Sequence, residues 1–199
     1  MSDGTTKEYR YAAERPRHSR EIPGSVGALL IAYRSSQHYA TLRPATQRTY
    51  GYYLRHLEPI AHLPVQEVRP RTIIKMRDTV AKTHGPGAAN VFVRVAASMF
   101  SWARDSDWLE ASPVEKIRPL PGGHLAAWTR EEADIAAANL PEPLRRAVVL
   151  ARYTGQRRGD LVSLTWRAYD GSSIALRQQK TGTPLVIPAH PALKAELRM

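Results

Sequence analysis

The chain has 199 residues, a formal net charge of +11 from 29 Lys and Arg against 18 Asp and Glu, and 43% hydrophobic residues. That size and apolar content suit one or two globular domains and exclude a wholly disordered basic tail. The absence of cysteine excludes disulfide frameworks, cysteine-ligated zinc and thiol nucleophiles.

Residues 1–23 are polar, mixed in charge and without periodicity, and read as a flexible tail with no apolar signal region. Four helical patterns follow. Val26, Leu29, Leu30 and Tyr33 recur at i, i+3, i+4 and i+7, one face of a helix. Tyr50, Tyr53, Leu54 and Leu57 repeat the spacing, with Pro44 placed near the helix start and Arg48, Tyr52, Arg55 and His56 on the opposite face. Ile73, Met76 and Val80 mark a shorter helix after Pro70, and His84-Gly85-Pro86-Gly87 breaks the chain. Phe92, Val95, Ala96, Met99 and Ala103 mark a long fourth helix, with Asn90, Arg94 and Ser101 on another face. Amphipathic helices with short connections imply a small helical bundle.

Pro113, Pro119 and Pro121-Gly122-Gly123 then read as a linker. Thr129-Arg-Glu-Glu132 is a capping box opening a helix that runs to about Asn139. Leu144, Ala147, Val148 and Ala151 mark the next helix, stopped at Gly155, and Leu161 and Leu164 continue a short one. Ile174-Ala-Leu176 and Leu185-Val-Ile187 flank a Lys180-Thr-Gly-Thr turn, the pattern of a hairpin. His190 reads as the start of a further helix. The fold expected is therefore mainly α: a helical bundle over 24–119 and an α+β region over 120–199.

The charge is unevenly spread, at +1, +6 and +4 over residues 1–23, 24–119 and 120–199. Between Ile22 and Leu57 no Asp or Glu occurs, whereas Arg34, Arg43, Arg48 and Arg55 stand there. Basic proteins meet polyanions, nucleic acid first among them. Arg outnumbers Lys 23 to 6, and the planar guanidinium can grip a phosphate with two hydrogen bonds. No apolar run approaches the ~18 residues of a membrane span. The expectation is a soluble, cytoplasmic, nucleoid-associated protein with no membrane partner.

The densest chemical constellation is Thr154-Gly155-Gln156-Arg157-Arg158-Gly159-Asp160-Leu161. Gly155 ends a helix and lets backbone approach a ligand. Asp160 lies one turn from Arg157 and could hold it in one rotamer, ready to grip a phosphate and stabilise charge developing on it. An ordinary helix corner with a surface ion pair explains the same spacing. Lys180, at the hairpin tip, could give a proton to a leaving alkoxide; a solubilising turn lysine is the plain alternative.

Together these segments resemble the tyrosine recombinases, the phage-integrase family. Thr154-Gly-Gln-Arg157-Arg-Gly-Asp160-Leu161-Val-Ser-Leu164-Thr-Trp166 is similar to that family's first arginine box. Gln179-Lys180-Thr-Gly-Thr-Pro-Leu-Val-Ile187-Pro188 is similar to its catalytic-lysine hairpin. Phe100-Ser-Trp102-Ala103-Arg-Asp-Ser-Asp-Trp108-Leu109-Glu-Ala-Ser-Pro113-Val114 resembles the end of its core-binding domain. The resemblance implies a SAM-like four-helix core-binding domain over 24–119 and an incomplete catalytic domain over 120–199. It implies that Arg157 binds the scissile phosphate, that Asp160 supports Arg157, and that Lys180 is the general acid toward the leaving 5′-hydroxyl. It also implies site-specific recombination through a 3′-phosphotyrosyl intermediate, with no metal or other cofactor. Duplex DNA would be the partner, with Arg43, Arg48, Arg55, Asn90 and Arg94 facing it and phosphate contacts supplying most of the affinity.

The family's His-x-x-Arg box and late tyrosine do not follow Lys180, and no tyrosine occurs after Tyr169. A truncated form is therefore expected, one that binds DNA without cleaving it. The whole recombinase would be tetrameric on DNA, this piece at most weakly self-associating. A stand-alone DNA-binding protein that occupies recombination sites is the alternative.

Overall fold

The structure is a computed structural model that describes residues 22–123 and 126–198. Apart from Ile22 and Pro23, the expected tail lies outside the described residues. The chain divides into two compact units, Met1–His124 and Leu125–Met199.

In the first unit, α1 (Val26–Ser35) begins at Ser25, whose hydroxyl accepts the Ala28 amide at 3.1 Å. Its apolar stripe is buried as its spacing requires: Val26, Leu29, Leu30 and Tyr33 all lie in the core. A short α2 (Gln37–Ala40), which periodicity did not signal, turns the chain into α3 (Pro44–Leu54). Pro44 opens α3, where a missing N–H costs nothing. A 3-10 turn over Arg55–Ile60 follows and buries Leu57. In α4 (Pro70–Asp105) the expected break is sharp: Gly85 adopts φ 81° and ψ 168°, outside helical geometry, and Pro86 restarts the helix. A side chain at that φ would be strained, so glycine is required. Nineteen apolar residues form one core, led by Tyr33, Leu54, Ile73, Phe92, Met99 and Phe100.

The proline-rich stretch after α4 is only partly a linker. Val114 is buried in the core, and Ile117 and Leu120 pack against it. Arg77 donates to the Arg118 carbonyl at 3.0 Å. Asn90 clasps Leu120 from both sides, donating to its carbonyl at 2.9 Å and accepting its amide at 2.8 Å.

The second unit opens with α5 (Arg130–Asn139), whose capping box is fully formed between Thr129 and Glu132. Next come α6 (Glu142–Thr154), α7 (Arg158–Val162), the hairpin β1 (Ser173–Arg177) and β2 (Pro184–Pro188), and α8 (Pro191–Leu197). The strands are antiparallel, with Ser173 opposite Pro188 and Arg177 opposite Pro184. Val149, Leu150 and Tyr153 pack around Ile174, Ala189 and Leu193, whereas Leu144, Ala147 and Ala151, part of the spacing that marks this helix, are exposed. Helix α6 is apolar on two faces, and spacing alone does not say which is covered first. His190 does start the last helix: its Nδ1 accepts the Ala192 amide at 3.2 Å, and its ring stacks on Tyr153 at 4.4 Å.

Candidate functional site

The arginine box forms a tight corner between α6 and α7. Gly155 takes a left-handed φ of 62°, donates its amide to Ala151 and ends α6. Arg157 is the residue on which α7 begins, so its backbone is fixed while its side chain stays exposed. Asp160 sits in the first turn of α7 and is only 3% exposed.

Here the structure corrects the expected pairing. Asp160 makes no salt bridge with Arg157 among the described residues. Its Oδ1 instead accepts the backbone amide of Gln179 at 2.7 Å, and its buried Oδ2 has no hydrogen-bond partner there. The reason is direction: Arg157 projects outward from the helix start, whereas Asp160 turns inward toward the hairpin. The carboxylate thus ties the arginine corner to the residue before Lys180.

Two glutamines complete the tie. Gln178 Nε2 donates to Gln156 Oε1 at 2.9 Å, and Gln179 Nε2 donates to the Gly159 carbonyl at 3.3 Å. The turn that carries Lys180 is closed by Gln178 N to Thr183 O at 2.9 Å and Gly182 N to Gln178 O at 2.8 Å, with Gly182 at φ 74°. Lys180 is exposed at its tip. Arg157 and Lys180 therefore project from one hydrogen-bonded knot. Gln156, Gln178 and Gln179 escaped sequence reading; the polar pair interrupting strand alternation just before Lys180 was the available signal.

In the first unit, Arg48, Tyr52 and Arg55 follow the i, i+4, i+7 spacing of one exposed face. The Arg55 guanidinium lies 5.0 Å from the centre of the Tyr52 ring. Arg43 stands exposed immediately before α3, and Arg94 is exposed on α4. Among the described residues, no carboxylate lies within ion-pair distance of Arg48, Arg55 or Arg94. Asn90 is a correction. It was expected on a free polar face, but its amide is committed to Leu120.

No family model matches the chain. The integrase of Escherichia phage HK022 is 26% identical over 152 residues, covering 74% of this chain and 43% of that protein. The chain thus spans less than half the length of this curated relative. Among solved structures, a lambda integrase tetramer bound to a Holliday junction matches with a TM-score of 0.75 at 20% identity, over 96% of this chain and 60% of that one. Lambda integrase bound to DNA gives 0.71 at 23% identity, over 87% and 65%. The Tn1549 transposon integrase in complex with a circular intermediate DNA gives 0.70 at 16% identity, over 87% and 64%. These likenesses show the integrase fold across both units. The sequence match is likewise to a phage integrase, so sequence and fold point to the same kind of protein.

Proposed function

We propose that this chain is the DNA-binding portion of a site-specific DNA recombinase of the integrase type, together with the first part of its catalytic apparatus. The observation that carries this reading is the knot joining the Arg157 corner to the Lys180 turn through Asp160, Gln156, Gln178 and Gln179. Two cations thereby project from one rigid support. In the reaction of such an enzyme, a tyrosine hydroxyl attacks the phosphorus, a 3′-phosphotyrosyl bond forms, and the bond to the 5′-oxygen breaks. Arg157 would bind the phosphate oxygens and offset the charge that builds there. Lys180 would give its proton to the departing 5′-oxygen. Asp160 would position both loops without touching substrate.

The first unit would supply most of the affinity through Arg43, Arg48, Arg55 and Arg94 on the phosphate backbone of duplex DNA. The relative found as a tetramer on a Holliday junction supports a tetrameric assembly for the working recombinase. Tyr169, the last tyrosine of these 199 residues, precedes Lys180, so the attacking hydroxyl of this reaction is assigned to no residue here.

Titration of a labelled duplex at several salt concentrations tests the binding. Replacing Arg48 and Arg55 with Ala should weaken association on the order of tenfold and lower the salt slope by about two. An unchanged slope would remove that helix face from the interface. Incubation with a nicked suicide duplex should give no covalent adduct on a denaturing gel, and an adduct would overturn the non-cleaving assignment.

A further inference from the structure

Beside the arginine face lies a constellation that the recombination chemistry does not use. Tyr52, near the end of α3, His56, in the 3-10 turn, and His84, just before the Gly85 kink of α4, meet ring to ring. The centroid distances are 5.9 Å for Tyr52–His56, 6.5 Å for Tyr52–His84 and 6.2 Å for His56–His84. His84 and Tyr52 are exposed. His56 is half-buried, with its ring edge on Phe92 at 5.8 Å and on Tyr53 at 6.1 Å. Its Nε2 is buried without a hydrogen-bond partner among the described residues. Arg55 completes the group over the Tyr52 ring.

The charge pattern is one-sided. The groups facing His56 are Tyr52, Tyr53 and Arg55 from its own stretch of chain, and His84 and Phe92 from α4. The charged groups that act on it are His84 and Arg55, both cationic when protonated, with no carboxylate among them. Burial first, then these two neighbours, push the His56 imidazole below its ordinary value. His56, packed beside a second imidazole and an arginine with no acid among them, resists taking a proton until an anion arrives.

We propose that Tyr52, Arg55, His56 and His84 form a phosphate-docking patch for duplex DNA, and that DNA binding there takes up a proton onto His56. This inference rests on the DNA-binding reading above. A backbone phosphate beside the patch supplies the missing negative charge and favours the imidazolium form of His56. The sign follows. Free His56 holds its proton only at low pH, while phosphate-bound His56 holds it to higher pH. Between those two values the complex carries a proton that the free protein lacks. Affinity therefore rises as pH falls through that window and levels off on either side.

Fluorescence anisotropy of a labelled duplex at constant ionic strength, from about pH 8 to about pH 6, reads this coupling. The wild-type association constant should rise several-fold, by up to about tenfold per pH unit where one proton is taken up. His56→Gln with His84→Gln should bring the ratio between the two pH extremes close to one. His62→Gln, an exposed histidine outside the patch, should keep the wild-type ratio. Because His56 packs on Phe92, the single exposed variant His84→Gln is measured as well: with that neighbour of His56 removed, the rise in affinity should begin at higher pH. A flat wild-type curve with firm binding, an undiminished slope in the double variant, or an unmoved His84→Gln curve overturns the proton-linked patch and leaves DNA binding standing. Failure of the wild type to bind duplex at any pH in low salt would overturn both.

Discussion

The two units are built on different terms. Among the described residues, the first buries nineteen apolar side chains in one cluster, the second only Ile174, Ala189 and Leu193. At roughly 1.5–3 kcal/mol for each large side chain removed from water, burial alone organises the first unit. The second leans on individual polar contacts: the Thr129 capping box, the Gly155 helix stop, the Arg145–Glu196 pair between α6 and α8, and the glutamine knot. Asp170 is a further case. Its carboxylate accepts the amides and hydroxyls of Ser172 and Ser173, which hold it well below the usual carboxylate range. Meanwhile Val162 is 82% exposed and Val186 is 70% exposed, with Trp128, Ile135, Leu144 and Trp166 also open to solvent. The difference teaches that a chain can fix the geometry of the Arg157 corner by a few hydrogen bonds even where its core is small.

Hydrogen exchange on the whole chain separates the two regimes. The largest effect expected is for Phe92→Ala. It removes a fully buried ring from the first core and should cost about 3–5 kcal/mol, read as lost protection throughout α1 and α4. Protection lost only next to residue 92 would show that this core is not one cooperative cluster. A smaller effect is expected for Asp160→Ala, about 1–3 kcal/mol from stranding the Gln179 amide. It should speed exchange at Gln179 and around the Lys180 turn and leave the first unit untouched. Asp160→Asn keeps an oxygen acceptor, so the Gln179 amide should stay protected. Spread of the Asp160→Ala effect into the first unit would contradict the contrast between the two.

Local rules made much of this legible. The α1 stripe, the break at Gly85, the Thr129 capping box, the Gly155 stop and the Lys180 turn each depend on residues within a few positions of one another. What escaped depends on distance along the chain or on competing faces. Asn90 meets Leu120, Asp160 meets Gln179, and His84 meets His56 only after the fold has closed, and no periodicity announces these pairs. Helix α6 carries apolar residues on two sides, and spacing alone does not say which is packed. Arg157 and Lys180 stand out from their corner and hairpin tip, and the resemblance implies their roles, while the carboxylate between them holds the loop and not the arginine.

The hairpin carries its own safeguard against lateral growth. Its second strand is five residues long and has proline at both ends, Pro184 and Pro188. Proline has no N–H, so the strand offers at most three backbone donors to any intruding chain. A short, donor-poor edge is a poor template for strand addition. Val186 can therefore stand exposed in its middle without seeding a sheet between copies of the protein.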